Sequence, residues 1–247
     1  MSLPRRQSTS SGLTSIDPTP DDLPAIYARR FSDADAARRG GAWREIARYL
    51  QRYVAASDVI LDLACDRGAF INHICAGQRW AVDVRDVREH LDPAVRFVRT
   101  DGQALLDHFD SETFDVVFMS NFLEHLDTAD DVIAQLKVVH QVLKPGGRVI
   151  ILQPNIRLVG GSYWDFLDHK TALTEKSLEE ATRAAGLVTD RMVARFLPYT
   201  TKSRFPQHAR LVRAYLWLRP AWYVLGRQTL YIGQRPTTSR PRKAKRA

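Results

Sequence analysis

Val59-Ile60-Leu61-Asp62-Leu63-Ala64-Cys65-Asp66-Arg67-Gly68 runs apolar, breaks into a polar turn and ends on glycine. A short continuous apolar run reads as a parallel strand covered on both faces, and the turn as its junction with a helix over 68–76. In open α/β sheets, ligands bind at that edge. Outward from this stretch, the strand signal returns over 80–84, 95–98, 114–119 and 148–152, which predicts five strands of a parallel sheet alternating with helices. Residues 132–143 carry apolar side chains at helical spacing and stop at Lys144-Pro145-Gly146-Gly147. Thr174, with Ser177 to Glu180 behind it, has the capping chemistry to open a further helix that ends at Gly186. Strands over 187–196 and 228–234 come next, with a helical insertion between them at about 197–227. Upstream, 33–53 places Trp43, Ile46, Ala47 and Leu50 on one helical face as an entry helix. The expected organisation is a flexible leader (1–22), one domain (23–235) and a basic, disordered tail (236–247).

A chain of 247 residues with 45% hydrophobic composition can bury the core of one decorated domain. Of its formal net charge of +8, Arg240, Arg242, Lys243, Lys245 and Arg246 supply five charges in the tail, so the total does not by itself mark a nucleic-acid surface. The two cysteines, Cys65 and Cys75, offer neither a disulfide framework nor a zinc spacing, and a reducing, cytoplasmic setting is expected. Residues 1–20 contain no apolar signal-peptide core. The apolar stretch 211–232 is interrupted by Arg213, Arg219, Pro220 and Arg227, which excludes a membrane span and leaves a surface contact open.

Two further carboxylates fall at strand ends. Asp83 closes the second strand, where it can accept hydrogen bonds from both hydroxyls of a ribose. Asp101-Gly102 lies just past the third, where a carboxylate can accept from an adenine amino group and a glycine permits close backbone approach. With the opening stretch, Phe114-Asp115-Val116-Val117, Asn121-Phe122-Leu123-Glu124-His125-Leu126 and Leu143-Lys144-Pro145-Gly146-Gly147, this ordered set resembles the class I S-adenosylmethionine-dependent methyltransferases over roughly 54–186. The resemblance implies a Rossmann-like, seven-stranded, mostly parallel sheet flanked by helices and S-adenosylmethionine as methyl donor. It places Asp62, Leu63, Ala64, Cys65, Asp66 and Gly68 around the methionine part and Asp83 at the ribose, with Val84 also in the cofactor site. Asp101 and Gly102 fall at the adenine, and Asn121 and Phe122, in the segment up to His125, beneath the sulfonium. The chain departs from the family in its turn, where Ala64 and Asp66 stand at two usual glycine positions. Asp66 would need a positive φ, which aspartate tolerates better than most residues. Carboxylates there attract the donor's ammonium and repel a pyrophosphate, which argues against a nicotinamide dehydrogenase.

After the fifth strand, Gly160-Gly161-Ser162-Tyr163-Trp164-Asp165-Phe166-Leu167-Asp168-His169 shares the edge of the cofactor turn. Tyr163, Trp164, Asp165 and Asp168 are candidates for holding a glycan or small acceptor, rings stacking on sugar faces and carboxylates accepting hydroxyl protons; packing of the loop is the competing reading. Methyl transfer to a hydroxyl needs a nearby base, and His125 and His169 are the candidates. Asp165, Asp168 and His169 are also donor types for a divalent cation, but no further acidic cluster accompanies them and no metal is expected. The leading expectation is O-methylation. A silent cofactor-binding scaffold, suggested by Ala64 and Asp66, and RNA methylation, suggested by the basic tail, are the alternatives.

Overall fold

The computed structural model describes residues 33–199 and 208–237. The leader, the part of the insertion at 200–207 and the tail from 238 lie outside the described residues. The chain divides into two units, Met1–Ala37 and Arg38–Ala247, and the sheet and the candidate site belong to the second.

Seven strands form one sheet: β1 (Val59–Leu63), β2 (Gln78–Asp83), β3 (Val95–Arg99), β4 (Phe114–Ser120), β5 (Leu143–Pro154), β6 (Val188–Leu197) and β7 (Gln228–Gln234). Their order is β3-β2-β1-β4-β5-β7-β6. The first five are mutually parallel, while β7 lies antiparallel to both β5 and β6. The apolar runs of the sequence are explained by what covers the sheet: alternate residues of β4 enter separate cores, Val116 and Phe118 on one face, Val117 and Met119 on the other. Phe118 stacks on Phe70 (centroids 3.7 Å apart) and meets the edge of Trp43 (6.3 Å) from α1 (Asp33–Leu50), whose Ile46, Ala47 and Leu50 are buried as the periodicity predicts.

Helix α2 (Ala129–Val142) opens on a capping box between Thr128 and Asp131. After the short α3 (Ile156–Val159), α4 (Glu175–Ala184) opens on the expected cap, Thr174 Oγ1 accepting from the Ser177 amide. Helices α5 (Ala209–Trp217) and α6 (Arg219–Leu225) form the insertion between β6 and β7.

Two expectations need correction. Residues 68–76 do not form a helix; they run as turns, with isolated helical bonds from Asn72 to Gly68 and from Ile74 to Phe70. The polar groups that would extend a helix are taken by distant partners. The Cys75 amide donates to Gln51 Oε1 (2.9 Å), and the Ile71 carbonyl accepts from Arg79 Nη1 (3.1 Å). The Lys144-Pro145-Gly146-Gly147 segment does end α2, but it already belongs to β5, which begins at Leu143 rather than Arg148. Lys144 pairs with Asp115 (2.8 Å), and an added Cβ at Gly147 would meet the Lys144 carbonyl at 2.9 Å, so glycine lets the backbones close up.

Candidate active site

The turn after β1 keeps a glycine-like path with residues that are not glycine. Ala64 (φ 58°) and Asp66 (φ 47°) both lie in the left-handed region, as does Gly68 (φ 69°), where an added Cβ would come within 2.5 Å of Leu91. The Cys65 amide donates to the Val82 carbonyl and the Asp66 amide to Asp83 Oδ2, each at 3.0 Å, tying the turn to β2. A left-handed conformation costs an L-residue about 1–2 kcal/mol. Ala64→Gly is therefore expected to stabilise the fold by about 1 kcal/mol, the looser unfolded chain offsetting the rest of the relief. Chemical denaturation measures it; an unchanged midpoint would mean the turn is not strained.

Three carboxylates gather here. Asp62 is buried, and burial first, then the Asp83 and Asp66 charges, pushes its carboxyl well above the usual range. Asp83 is only 5% exposed. Its Oδ1 accepts from the Arg85 amide and Nε (both 3.0 Å), and Oδ2 from Arg85 Nη2 (3.1 Å) besides the Asp66 amide. The same Nη2 reaches Asp66 Oδ1 at 2.9 Å. Arg85 thus bridges two of the predicted site residues, a role that sequence reading missed, although a basic residue two positions past a strand-tip aspartate was its visible trace. Cys65 is buried with its thiol pushed up by desolvation, which makes it inert rather than nucleophilic. Val84, by contrast, is an exposed apolar side chain beside Asp83.

Asp101 stands at the tip of β3, its Oδ1 accepting from the Gln103 amide (2.7 Å). Gly102 is buried against Gln135, which donates to its carbonyl at 3.0 Å and would clash with any added Cβ. Asn121, at the tip of β4, also takes a left-handed φ (49°), which asparagine tolerates, and Phe122 packs against the core.

The β4 tip and the loop after β5 meet in a second cluster. Lys170 and Thr171 donate their amides to the Glu124 carbonyl, which brings His169 beside His125 with ring centroids 5.3 Å apart. His125 Nδ1 lies 2.9 Å from the Asp168 carbonyl oxygen. A carbonyl only accepts, so Nδ1 carries a proton, and in the neutral imidazole the lone pair is on Nε2. Tyr163 does not face a ligand. It is fully buried, donates its hydroxyl to the Thr171 carbonyl (2.5 Å) and supports the His169 ring at 4.7 Å. That leaves Trp164, 55% exposed, as the aromatic of this loop open to an acceptor, with Asp165 also exposed and Asp168 partly buried.

A family model described as a methyltransferase domain matches residues 35–191, more than half of the chain. The chain belongs to that family. With its seven-stranded Rossmann-like sheet, it is a class I S-adenosylmethionine-dependent methyltransferase. Among solved structures, a methyltransferase of Thermotoga maritima is similar at 14% identity and TM-score 0.61, covering 87% of this chain and 97% of that one. One from Archaeoglobus fulgidus gives 19% and 0.55, covering 77% and 95%. A methyltransferase of Haloferax volcanii, solved in complex with the Trm112 methyltransferase activator, gives 21% and 0.58, covering 82% and 95%. At these identities the likeness is one of fold. No curated protein matches the sequence.

The methyltransferase's turn fits its methyl donor chemically. Asp66 and Asp83 both pair with Arg85, and their carboxylates are the acceptors that an ammonium and a pair of ribose hydroxyls call for. Among the described residues no helix is long and apolar enough to cross a membrane.

Proposed function

We propose that this methyltransferase methylates a hydroxyl oxygen of a glycan-type or other small acceptor. The observation that carries the reading is His125: its Nδ1–H is held by the Asp168 carbonyl, its Nε2 keeps a lone pair, and it stands beside His169 at the tip of β4. A neutral hydroxyl is a poor nucleophile until its proton has somewhere to go. An imidazole lone pair accepts that proton, the oxygen forms the new C–O bond, and the C–S electron pair stays on sulfur. When bound, S-adenosylmethionine supplies the electrophilic methyl group. Asp83 takes the ribose hydroxyls once Arg85 has moved off it, Asp101 and Gly102 take the adenine, and Val84 gives it an apolar face. Residues Asp62 to Gly68 hold the methionine part, and Asn121 and Phe122 lie under the reacting centre. Alignment in this crevice supplies much of the rate.

The insertion supports an acceptor met at an anionic membrane surface. Leu211, Trp217, Leu218, Tyr223 and Val224 are all exposed on α5, α6 and the residue between them, interleaved with Arg210, Arg213 and Arg219. A groove of about 620 Å³ beside them is lined by Arg191, Arg195 and Arg219, by Arg157, which pairs with Glu175, and by Trp222, Tyr223 and aliphatic side chains, a mixed lining that offers cations to a phosphate and apolar surface to a lipid.

Incubating the pure protein with methyl-labelled S-adenosylmethionine and separated aqueous and membrane extracts tests this reading. The expected product is a base-stable methyl ether, enriched in the membrane fraction. Label confined to nitrogen, carbon or carboxyl ester positions, or to RNA, would refute it.

A further inference from the structure

Glu124 is a buried acid that proton transfer by an imidazole leaves without a task. Its carboxylate is 1% exposed, and Oε2 accepts from Gln153 Nε2 at 3.0 Å. Among the described residues Oε1 is buried with no hydrogen-bond partner, and so is Gln153 Oε1. An unsatisfied buried acceptor is costly, and more so when it is charged. A buried carboxylate oxygen left without a partner marks a place where something electropositive belongs.

His125 and His169 stand around that place. One ligating atom from each of Glu124, His125 and His169 lies within 4.8 Å of the other two. Imidazole nitrogens and carboxylate oxygens bind zinc-like cations at about 2.0–2.2 Å, so two donors on one ion are at most about 4.4 Å apart. Small rotamer adjustments close the difference. The support that metal-bound histidines need is already built: the Asp168 carbonyl holds His125 Nδ1–H at 2.9 Å, which fixes the ring and leaves Nε2 basic. Tyr163 and Phe166 pack on the His169 ring at 4.7 and 5.1 Å.

We infer that Glu124, His125 and His169 form a binding site for a divalent transition-metal ion. One carboxylate and two imidazoles select zinc, manganese or iron over magnesium or calcium, whose sites are built from oxygen. Three protein donors leave a coordination position open. The role given to the ion rests on the hydroxyl-methylation reading above. An acceptor hydroxyl bound there releases its proton to solvent more readily, and its oxygen then takes the methyl group while the C–S electrons remain on sulfur. With the ion in place the imidazoles act as ligands, and the cation performs the activation that a free imidazole would otherwise perform. The sequence showed no such site because its donors come from two distant segments and Asp168, the acid next to His169, contributes its carbonyl.

Full-length protein stripped with a chelator is titrated with Zn²⁺ or Mn²⁺ by calorimetry, without methyl donor or acceptor. One ion per chain is expected. Changes to the groups that merely support the ligands weaken metal sites about 10–100-fold, so Glu124→Gln and His169→Asn should each weaken binding by at least about tenfold. Thermal melts check folding: the ion should raise the melting temperature of the native protein and not of either variant. No binding by the native protein, or binding undiminished in both folded variants, overturns the site. A chelated protein that forms methyl ethers at full rate overturns the ion's role and leaves hydroxyl methylation standing. Metal binding lost in the variants, in a protein that methylates only nitrogen or carbon, supports the site and sinks the hydroxyl reading instead.

Discussion

Asp83→Ala is expected to weaken S-adenosylmethionine binding at least about a hundredfold, read as a Kd by calorimetry. Hydrogen bonds to a charged group contribute about 1.5–3 kcal/mol each, and every 1.4 kcal/mol is tenfold in affinity, so losing two to a ribose passes that mark. The substitution acts a second time through the turn. Asp83 Oδ2 accepts from the Asp66 amide, at a residue held in a left-handed conformation, so removing the carboxylate lets that strained backbone relax away from a binding path. Arg85 would also lose its main carboxylate partner and keep its pairing with Asp66. Asp83→Asn keeps the size and one acceptor oxygen but drops the charge, and its Kd should fall between those of the native protein and the alanine variant. An unchanged Kd in Asp83→Ala removes this turn from the cofactor site.

His125→Ala is expected to lower kcat by about 10²–10⁴, the usual contribution of a positioned proton acceptor, while the Kd for S-adenosylmethionine stays within about twofold of native. The imidazole sits past the tip of β4, and it is held by Asp168 and the His169 ring rather than by the carboxylates of the turn. Its loss removes the tautomer-locked lone pair and one of the three donors of the metal site, so turnover falls whether the proton leaves to nitrogen or from a cation-bound oxygen. Single-turnover rates beside calorimetry separate the two quantities. A Kd that rises in step with the fall in kcat would place His125 at the methyl donor instead.

The five parallel strands and the position of the turn after β1 were legible because their signals are local. Alternate residues of each run face separate cores, so a continuous apolar stretch marks a strand covered on both sides, whatever lies around it. Caps are local too, and Thr174 with Ser177 forms the pair that its three-residue spacing predicts. Ala64 and Asp66 could be marked as standing at glycine positions, but not shown to accept glycine's backbone angles; the hydrogen bonds to Val82 and Asp83 that hold them there come from the neighbouring strand. The segment after the turn has the composition of a helix and lacks one, since Gln51 and Arg79 bind its backbone polar groups from outside.

By itself, then, the sequence determined the strands along the chain and the carboxylates at three strand ends. Only the tertiary structure decided that Arg85 closes over Asp66 and Asp83, that Tyr163 turns inward, and that Glu124 meets Gln153, His125 and His169 with one oxygen left over. The reason is physical. Strands and caps are set by neighbours a few residues away, whereas a buried charge takes its state from groups that only the closed fold brings within bonding distance.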